Sequence, residues 1–180
     1  MSVTSESVLL PSATGIPAKM GFLRAYSPDQ RQPLHAHAVL TFVFNGGVLV
    51  YAIAYRRAGR QLPERVPVGD LALLAVGTYK LSRLAAKDRI TSFFRAPFTR
   101  YKGSSERPSE VSEEPRGEGL RRAIGELVVC PYCLSQWIGT AYLLTYLRQP
   151  RLARTVAALF TIVAGSDLLQ EAWVAVDKRA

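Results

Sequence analysis

The sequence predicts an all-α fold: a small multi-pass membrane bundle of about four transmembrane helices, the second one short, with an amphipathic cytoplasmic loop. Apolar residues are clumped into four runs along the 180 residues, although the mean hydropathy of the whole chain is only +0.07. The net charge is +9, and most basic residues lie between the runs. A basic surface of this kind favours an anionic partner, which for a membrane protein is the inner leaflet.

The first predicted element is an apolar helix that follows a polar tail. Residues 1–33 carry Ser, Pro and Gly with little periodicity, which predicts a disordered tail. Residues 38–55 contain no charge, and a helix of that length measures about 27 Å, close to the thickness of the hydrocarbon layer. The run contains Asn-Gly-Gly, so a buried hairpin of a soluble protein is the alternative. We assign 34–67 to an extra transmembrane helix with a basic turn, and 68–176 to the main membrane domain.

The second predicted helix, at 68–86, has a short apolar centre and a basic end. Lys80, Arg83 and Lys87 recur at helical spacing on one face, while leucine and alanine continue another. Where a helix leaves the bilayer, the long side chains of such residues can reach the lipid headgroups with their charged ends. We therefore expect this helix to be the weakest of the four spans.

An amphipathic segment follows at 88–102. Its Ile and Phe side chains fall near one face and its arginines lie elsewhere, which is typical of a segment on the surface of anionic lipid. A soluble surface helix and a nucleic-acid contact are the alternatives. Residues 103–119, rich in Glu and Pro, predict a flexible loop. The candidates for lipid-headgroup or bundle charge contacts are Lys80, Arg83, Lys87, Arg89 and Arg95.

The third and fourth predicted helices occupy 127–147 and 152–176. The third has no charge, whereas the fourth carries Asp167 in its second half. Ionisable residues inside a bilayer usually pair within the bundle. We therefore expect Asp167 or Glu126 to pair with Lys80 or Arg83 and fix the helix register, and the alternative is a proton or ion path.

The distribution of basic residues predicts the orientation in the membrane. With four spans, 14 Lys and Arg residues fall in the two tails and the long loop, and 7 fall in the two short loops. Cytoplasmic segments carry the excess of Lys and Arg. The sequence therefore predicts a cell-membrane protein whose termini and long loop are cytoplasmic.

The Cys130-Pro-Tyr-Cys133 sequence has several interpretations. A glutaredoxin does not fit, because apolar helices follow the cysteine motif where that fold needs further strands. A zinc site needs four ligands, so His35 and His37 would have to join the two cysteines. A quinone-coupled dithiol enzyme of the membrane usually has a second cysteine pair, and this sequence has only the two cysteines of the motif. The remaining interpretation is structural: the cysteines are small, tightly packed residues that open the third helix.

Three stretches together resemble a bacterial membrane-protein family known as domain of unknown function 1360, which includes a sporulation-associated protein of endospore formers. They are TYKLSRLAAKDRITSFFRAPF (78–98), RGEGLRRAIGELVVCPYCLSQWIG (116–139) and AGSDLLQ (164–170). The resemblance covers roughly 68–176 and implies an integral membrane protein, but no activity. The matching positions are Lys80, Leu81, Arg83, Lys87, Asp88, Arg95, Pro97, Gly125, Glu126, Cys130, Cys133 and Trp137.

These observations predict an integral membrane protein with a non-enzymatic role, as a scaffold or accessory subunit that contacts lipid and a partner protein. We expect no cofactor, no metal site and no nucleic-acid partner. The main alternative is a thiol-redox enzyme or small transporter, and a soluble basic protein that binds nucleic acid is the second. The catalytic candidates under the main alternative are Cys130, Cys133, Glu126, Asp88 and Asp167.

Overall fold

The computed structural model describes residues 32–105, 107 and 109–179. The predicted tail at 1–33 lies almost wholly outside these residues and stays a prediction. The elements are α1 (Leu34–Arg57), α2 (Val68–Lys87), a 3-10 helix (Arg89–Thr91), α3 (Ser92–Arg95), β1 (Thr99–Ser104), β2 (Val111–Pro115), α4 (Gly119–Val129), α5 (Pro131–Arg148) and α6 (Pro150–Asp177).

Two of these helices, α1 and α6, are long and apolar enough to cross a membrane. A third span results if α4 and α5, which are bent by 83° at their junction, count as one. The predicted second span exists as a continuous helix of 20 residues. It is not counted among the helices that are apolar enough to cross a membrane, because it contains the ionic residues Asp70, Lys80, Arg83 and Lys87. The four-span prediction is therefore not confirmed by length and composition alone.

Helix α2 lies between α5 and α6, and the contacts define its direction relative to each. Near the start of α2, Asp70 accepts a hydrogen bond from Tyr146 near the end of α5, so these two helices are antiparallel. Asp70 also pairs with Arg154 near the start of α6, and Lys80 pairs with Asp167 further along both helices. Helices α2 and α6 therefore run parallel.

Helix α1 runs parallel to α5. The rings of Phe44 and Trp137 meet edge to face at 5.0 Å, and further along both helices the Tyr51 hydroxyl donates to the Leu144 carbonyl at 2.6 Å. The start of α1, the end of α2, the start of α5 and the end of α6 consequently lie at one end of the bundle, called the hairpin end below. The other end, which holds the two short connections, is called the opposite end.

The core lies where α2, α5 and α6 meet. Leu74, Tyr142, Tyr146, Ala153 and Ala157 form its buried cluster. Gly77 lets the backbones of α2 and α6 approach closely, because a Cβ atom there would lie 3.0 Å from the Cα of Ala157. Close backbone approach through small residues is the usual way in which apolar helices associate in a bilayer.

The loop between α2 and α4 corrects the all-α prediction. Strands β1 and β2 form an antiparallel hairpin with Arg100 opposite Glu114 and Tyr101 opposite Glu113. The register shifts between Tyr101 and Gly103, which marks a bulge. The expected flexible loop at 103–119 thus contains a paired strand. Its polar composition concealed the strand, because the pairing depends on β1 and on ionic contacts from other elements.

The predicted third helix is interrupted at Cys130. This residue has an extended backbone between α4 and α5, and Pro131 occupies the first turn of α5. Proline lacks the backbone N–H that would continue the hydrogen bonding of α4, but it fits the first turn of a new helix. The predicted third helix, at 127–147, is therefore divided between the end of α4 and α5.

Candidate functional site at the hairpin end

Lys80 and Arg83 of α2 each pair with a carboxylate from another element. The Lys80 ammonium lies 2.5 Å from Asp167 of α6. The Arg83 guanidinium makes three hydrogen bonds of 2.6–2.9 Å to Glu110, in the loop that precedes β2. Of the pairs suggested by the sequence, Lys80 with Asp167 is formed. The partner of Arg83 was missed because Glu110 belongs to a segment expected to be flexible.

Arg95 is the most completely enclosed charge, with 2% of its surface exposed. Its Nε and Nη2 donate to both carboxylate oxygens of Glu113 at 2.8 and 3.1 Å. Its remaining donors reach the Thr91 hydroxyl and the carbonyls of Ala85 and Asp88. The guanidinium therefore makes a charge contact inside the protein, and burial leaves it unable to reach a lipid headgroup. It joins the end of α2 to the hairpin.

Lys87, Asp88 and Arg89 lie where α2 ends. The Asp88 side chain accepts from the backbone N–H of Ile90 at 3.1 Å and so caps the 3-10 helix. Arg89 is exposed and donates to the Ser104 hydroxyl at 3.4 Å. Lys87 is half-buried and makes no ion pair with the described residues.

Glu126 of α4 connects α4 to α1 and does not reach Lys80 or Arg83. One of its carboxylate oxygens lies 2.7 Å from His37 Nε2, and the other accepts from Arg122 at 3.0 Å. Next to it, Gly125 allows α4 to lie on the hairpin, because a Cβ atom there would lie 2.6 Å from the Phe98 carbonyl oxygen. His37 therefore serves an interhelical contact, and His35 is exposed.

The two cysteines open α5 as adjacent free thiols. The Cys130 and Cys133 sulfur atoms are 2.7 Å apart, and the backbone N–H of Cys133 donates to the Cys130 sulfur at 3.2 Å. Cys133 is exposed and Cys130 is half-buried. Within the described part of the chain, no three potential metal ligands of the His, Cys, Asp and Glu type come together. Cys133 is thus the more accessible thiol, and the Cys130 sulfur is the acceptor of both contacts.

A cavity of about 570 Å³ lies between the second halves of α2 and α6 and the loop before β2. We call it the hairpin-end cavity. Lys80, Arg83, Asp88 and Asp167, all singled out in the sequence, line it, together with Glu110, which was not. Its size is within the range of small-molecule sites in proteins. The cysteines are not among its lining residues.

A second ionic cluster, at the opposite end, was not predicted. Asp70 accepts from Arg154 through both carboxylate oxygens at 2.8 and 2.6 Å and from the Tyr146 hydroxyl at 2.6 Å. The Arg154 guanidinium also lies 5.6 Å from the centre of the Tyr146 ring. The available signal was a lone acid in the first turn of one apolar helix and two arginines, Arg151 and Arg154, in the first turns of another. Their pairing needed the parallel arrangement of α2 and α6.

Comparisons with known proteins concern the family of the chain and not its architecture. The chain is similar to the UPF0713 protein YngL of Bacillus subtilis (strain 168), with 28% identity over 109 residues, which cover 61% of this chain and 82% of that protein. No solved structure matches the chain. The model of the family described as "Protein of unknown function (DUF1360)" matches residues 73–173, from α2 to α6, and this range excludes α1. The chain therefore belongs to the DUF1360 family.

Proposed function

We propose that this protein crosses the cytoplasmic membrane four times and acts there as a non-enzymatic scaffold or accessory subunit. The observation that carries the proposal is the exposure of apolar side chains on α1 and α6. Phe42 of α1 is 78% exposed and Ile162 of α6 is 71% exposed. Other large apolar side chains of the same two helices are exposed as well. Contiguous apolar surface on this scale requires a covering partner, and a bilayer covers both helices at once.

The charges of α2 are compatible with a position inside the bilayer. Asp70, Lys80 and Arg83 each pair with a residue of another element, so α2 presents compensated charges to its surroundings. A helix of 20 residues measures about 30 Å, enough to span. The mean hydropathy of α2 is lowered by each ionic residue, whether or not that residue is paired with an opposite charge. Pairing within the bundle therefore supports a fourth span.

The up-and-down arrangement supports cytoplasmic termini. The hairpin end collects the start of α1, the end of α6 and the long basic loop, and in the described part of the chain this side carries 10 Lys and Arg residues outside α2, against 7 at the opposite end. An excess of basic residues marks the cytoplasmic side. The scaffold role is supported by the ion pairs of the described residues, since all of them except Arg122–Glu126 join one element to another.

Cysteine labelling in intact cells tests the topology. Both native cysteines are replaced by serine, and a single reporter is placed at Ala58, at the opposite end, or at Ser104, at the hairpin end; both positions are exposed. We expect an impermeant maleimide to label Ala58→Cys in intact cells and Ser104→Cys only after lysis. Equal labelling of both, or release of the protein by alkaline carbonate, would contradict the four-span proposal.

A thiol-redox function is the second candidate, and the contact between the Cys130 and Cys133 sulfur atoms favours it. In that reaction the Cys130 thiolate, whose sulfur accepts the backbone N–H of Cys133 at the start of α5, attacks a substrate disulfide and releases one substrate thiol. Cys133 then attacks the mixed disulfide, releases the second thiol and leaves an intrachain disulfide, so the substrate is reduced and the protein oxidised. This function predicts that Cys133→Ser traps a mixed disulfide through Cys130, visible on non-reducing gels. Cys130→Ser,Cys133→Ser is the control, and equal patterns from the two variants would argue against an enzyme.

A further inference from the structure

The hairpin-end cavity is walled by three elements that are joined in pairs by ions. Lys80 with Asp167 joins α2 to α6, and Arg83 with Glu110 joins α2 to the loop before β2. The third pair, Arg107 with Glu171 at 2.8 Å, joins that loop to α6. All six side chains line the same space. The three salt bridges therefore surround the cavity.

Several of the paired side chains around the cavity remain partly exposed and have hydrogen-bonding groups that a ligand could use. The side chains of Asp167 and Glu171 are 39% and 52% exposed, and that of Arg107 is 41% exposed. An ammonium group has three donors, and Lys80 uses one of them in its pair with Asp167. A ligand in the cavity can therefore add hydrogen bonds to these groups without first breaking the pairs.

Among the described lining residues the charges are balanced, with four cationic and four acidic side chains. A ligand with a single strong charge would meet repulsion as well as attraction there, whereas a ligand with both charges finds partners for each. Leu84, Val174 and Ala175 add apolar surface for a short hydrocarbon portion. Among the described lining residues none is aromatic, whereas quaternary ammonium groups are usually held by aromatic rings. The cationic group that fits carboxylates alone is one with N–H donors.

We propose that the hairpin-end cavity binds a zwitterion that carries a primary ammonium group and a phosphate. The ammonium donates to the carboxylates of α6, and the phosphate accepts from the arginines and Lys80, since guanidinium groups match phosphate geometry. This chemistry is shared by the ethanolamine phospholipid headgroup and by free phosphoethanolamine. The lipid source rests on the membrane position proposed above, whereas the free ligand does not.

Native mass spectrometry of the full chain in detergent tests the proposal. The probes are phosphatidylethanolamine, phosphatidylcholine, phosphatidylglycerol and soluble phosphoethanolamine. We expect phosphatidylethanolamine to be retained about tenfold better than phosphatidylcholine, because the trimethylated group loses hydrogen bonds to charged acceptors. Retention of soluble phosphoethanolamine without the lipid would also support the site and identify the free source. Equal retention of the ethanolamine and choline lipids without binding of phosphoethanolamine, or preference for phosphatidylglycerol, would overturn the proposal.

Two substitutions on α6 locate the binding. Ala175→Phe fills the cavity without removing a member of an ion pair, and Ala172→Phe adds the same side chain to an exposed position of the same helix that does not line the cavity. We expect the ethanolamine preference to be lost in Ala175→Phe and kept in Ala172→Phe. Gln170→Trp, at an exposed lining position, replaces Ala175→Phe if that variant does not fold. Preference that survives cavity filling would overturn the site, while the labelling experiment tests the membrane position separately.

Discussion

Arg95 shows how far the environment of one residue departs from the pattern in which the sequence places it. In sequence it belongs to a basic, aromatic segment, and this favoured a contact with lipid. In the structure it is buried and bonded to Glu113, 18 positions away. Sequence spacing marks a charge but not its partner, because the pairing depends on a chain reversal between β1 and β2.

Arg95→Met should destabilise the protein strongly, since it leaves the Glu113 carboxylate buried without its counter-ion. Losing one partner of a buried pair costs about 3–5 kcal/mol. The matched control is Arg100→Met on β1, where the side chain is 70% exposed and lies 3.9 Å from Glu114. An exposed pair contributes about 0–1 kcal/mol.

Thermal unfolding of the purified variants in detergent measures the difference. We expect a large fall in Tm for Arg95→Met and little change for Arg100→Met. Similar Tm values for the two variants would show that the Arg95–Glu113 pair does not hold the hairpin to α2.

At the scale of elements, the packing of α4 on the hairpin is the feature that the sequence concealed most. The third span was predicted as one helix at 127–147, but the chain breaks at Cys130, and α4 before the break lies against the base of the hairpin. The proline in the motif was visible in the sequence. Its consequence, two helices at 83°, depended on the hairpin being present as a packing partner for α4.

Gly125→Ala should destabilise this packing, because the added methyl group would lie 2.6 Å from the Phe98 carbonyl oxygen and 3.1 Å from Pro115. Overpacking of this kind costs about 1–3 kcal/mol. Gly46→Ala in α1 is the control, since nothing lies within 4 Å of its added methyl group. In a helix that change is neutral or stabilising, by up to about 1 kcal/mol.

Protection of backbone amides in α4 against hydrogen exchange reports on the packing. We expect faster exchange in α4 and β2 for Gly125→Ala and unchanged exchange there for Gly46→Ala. The same slow exchange in both variants would mean that α4 does not depend on close contact with the hairpin.

At the scale of the whole molecule, the long-range ion pairs of α2 reach α6 and the loop before β2. Asp70 is paired at the opposite end, and Lys80 and Arg83 are paired at the hairpin end. Helix α2, which carries these charges, is the one that packs against both α5 and α6, while α1 and α6 present exposed apolar faces. This distribution is the reverse of a soluble protein and supports a lipid environment.

The sequence by itself determined the existence of α1 and α6 and their ends to within four residues, the approximate place of α2 and the family, because long apolar runs and an ordered local motif depend on neighbouring residues alone. It also brought Lys80 and Asp167 into one hypothesis through the cost of unpaired charge in a bilayer. Only the tertiary structure decided the hairpin, the break at Cys130, the partners of Arg83 and Arg95, and the cavity. Each of these depends on residues far apart in the chain, whose proximity follows from the direction of the helices rather than from any local pattern.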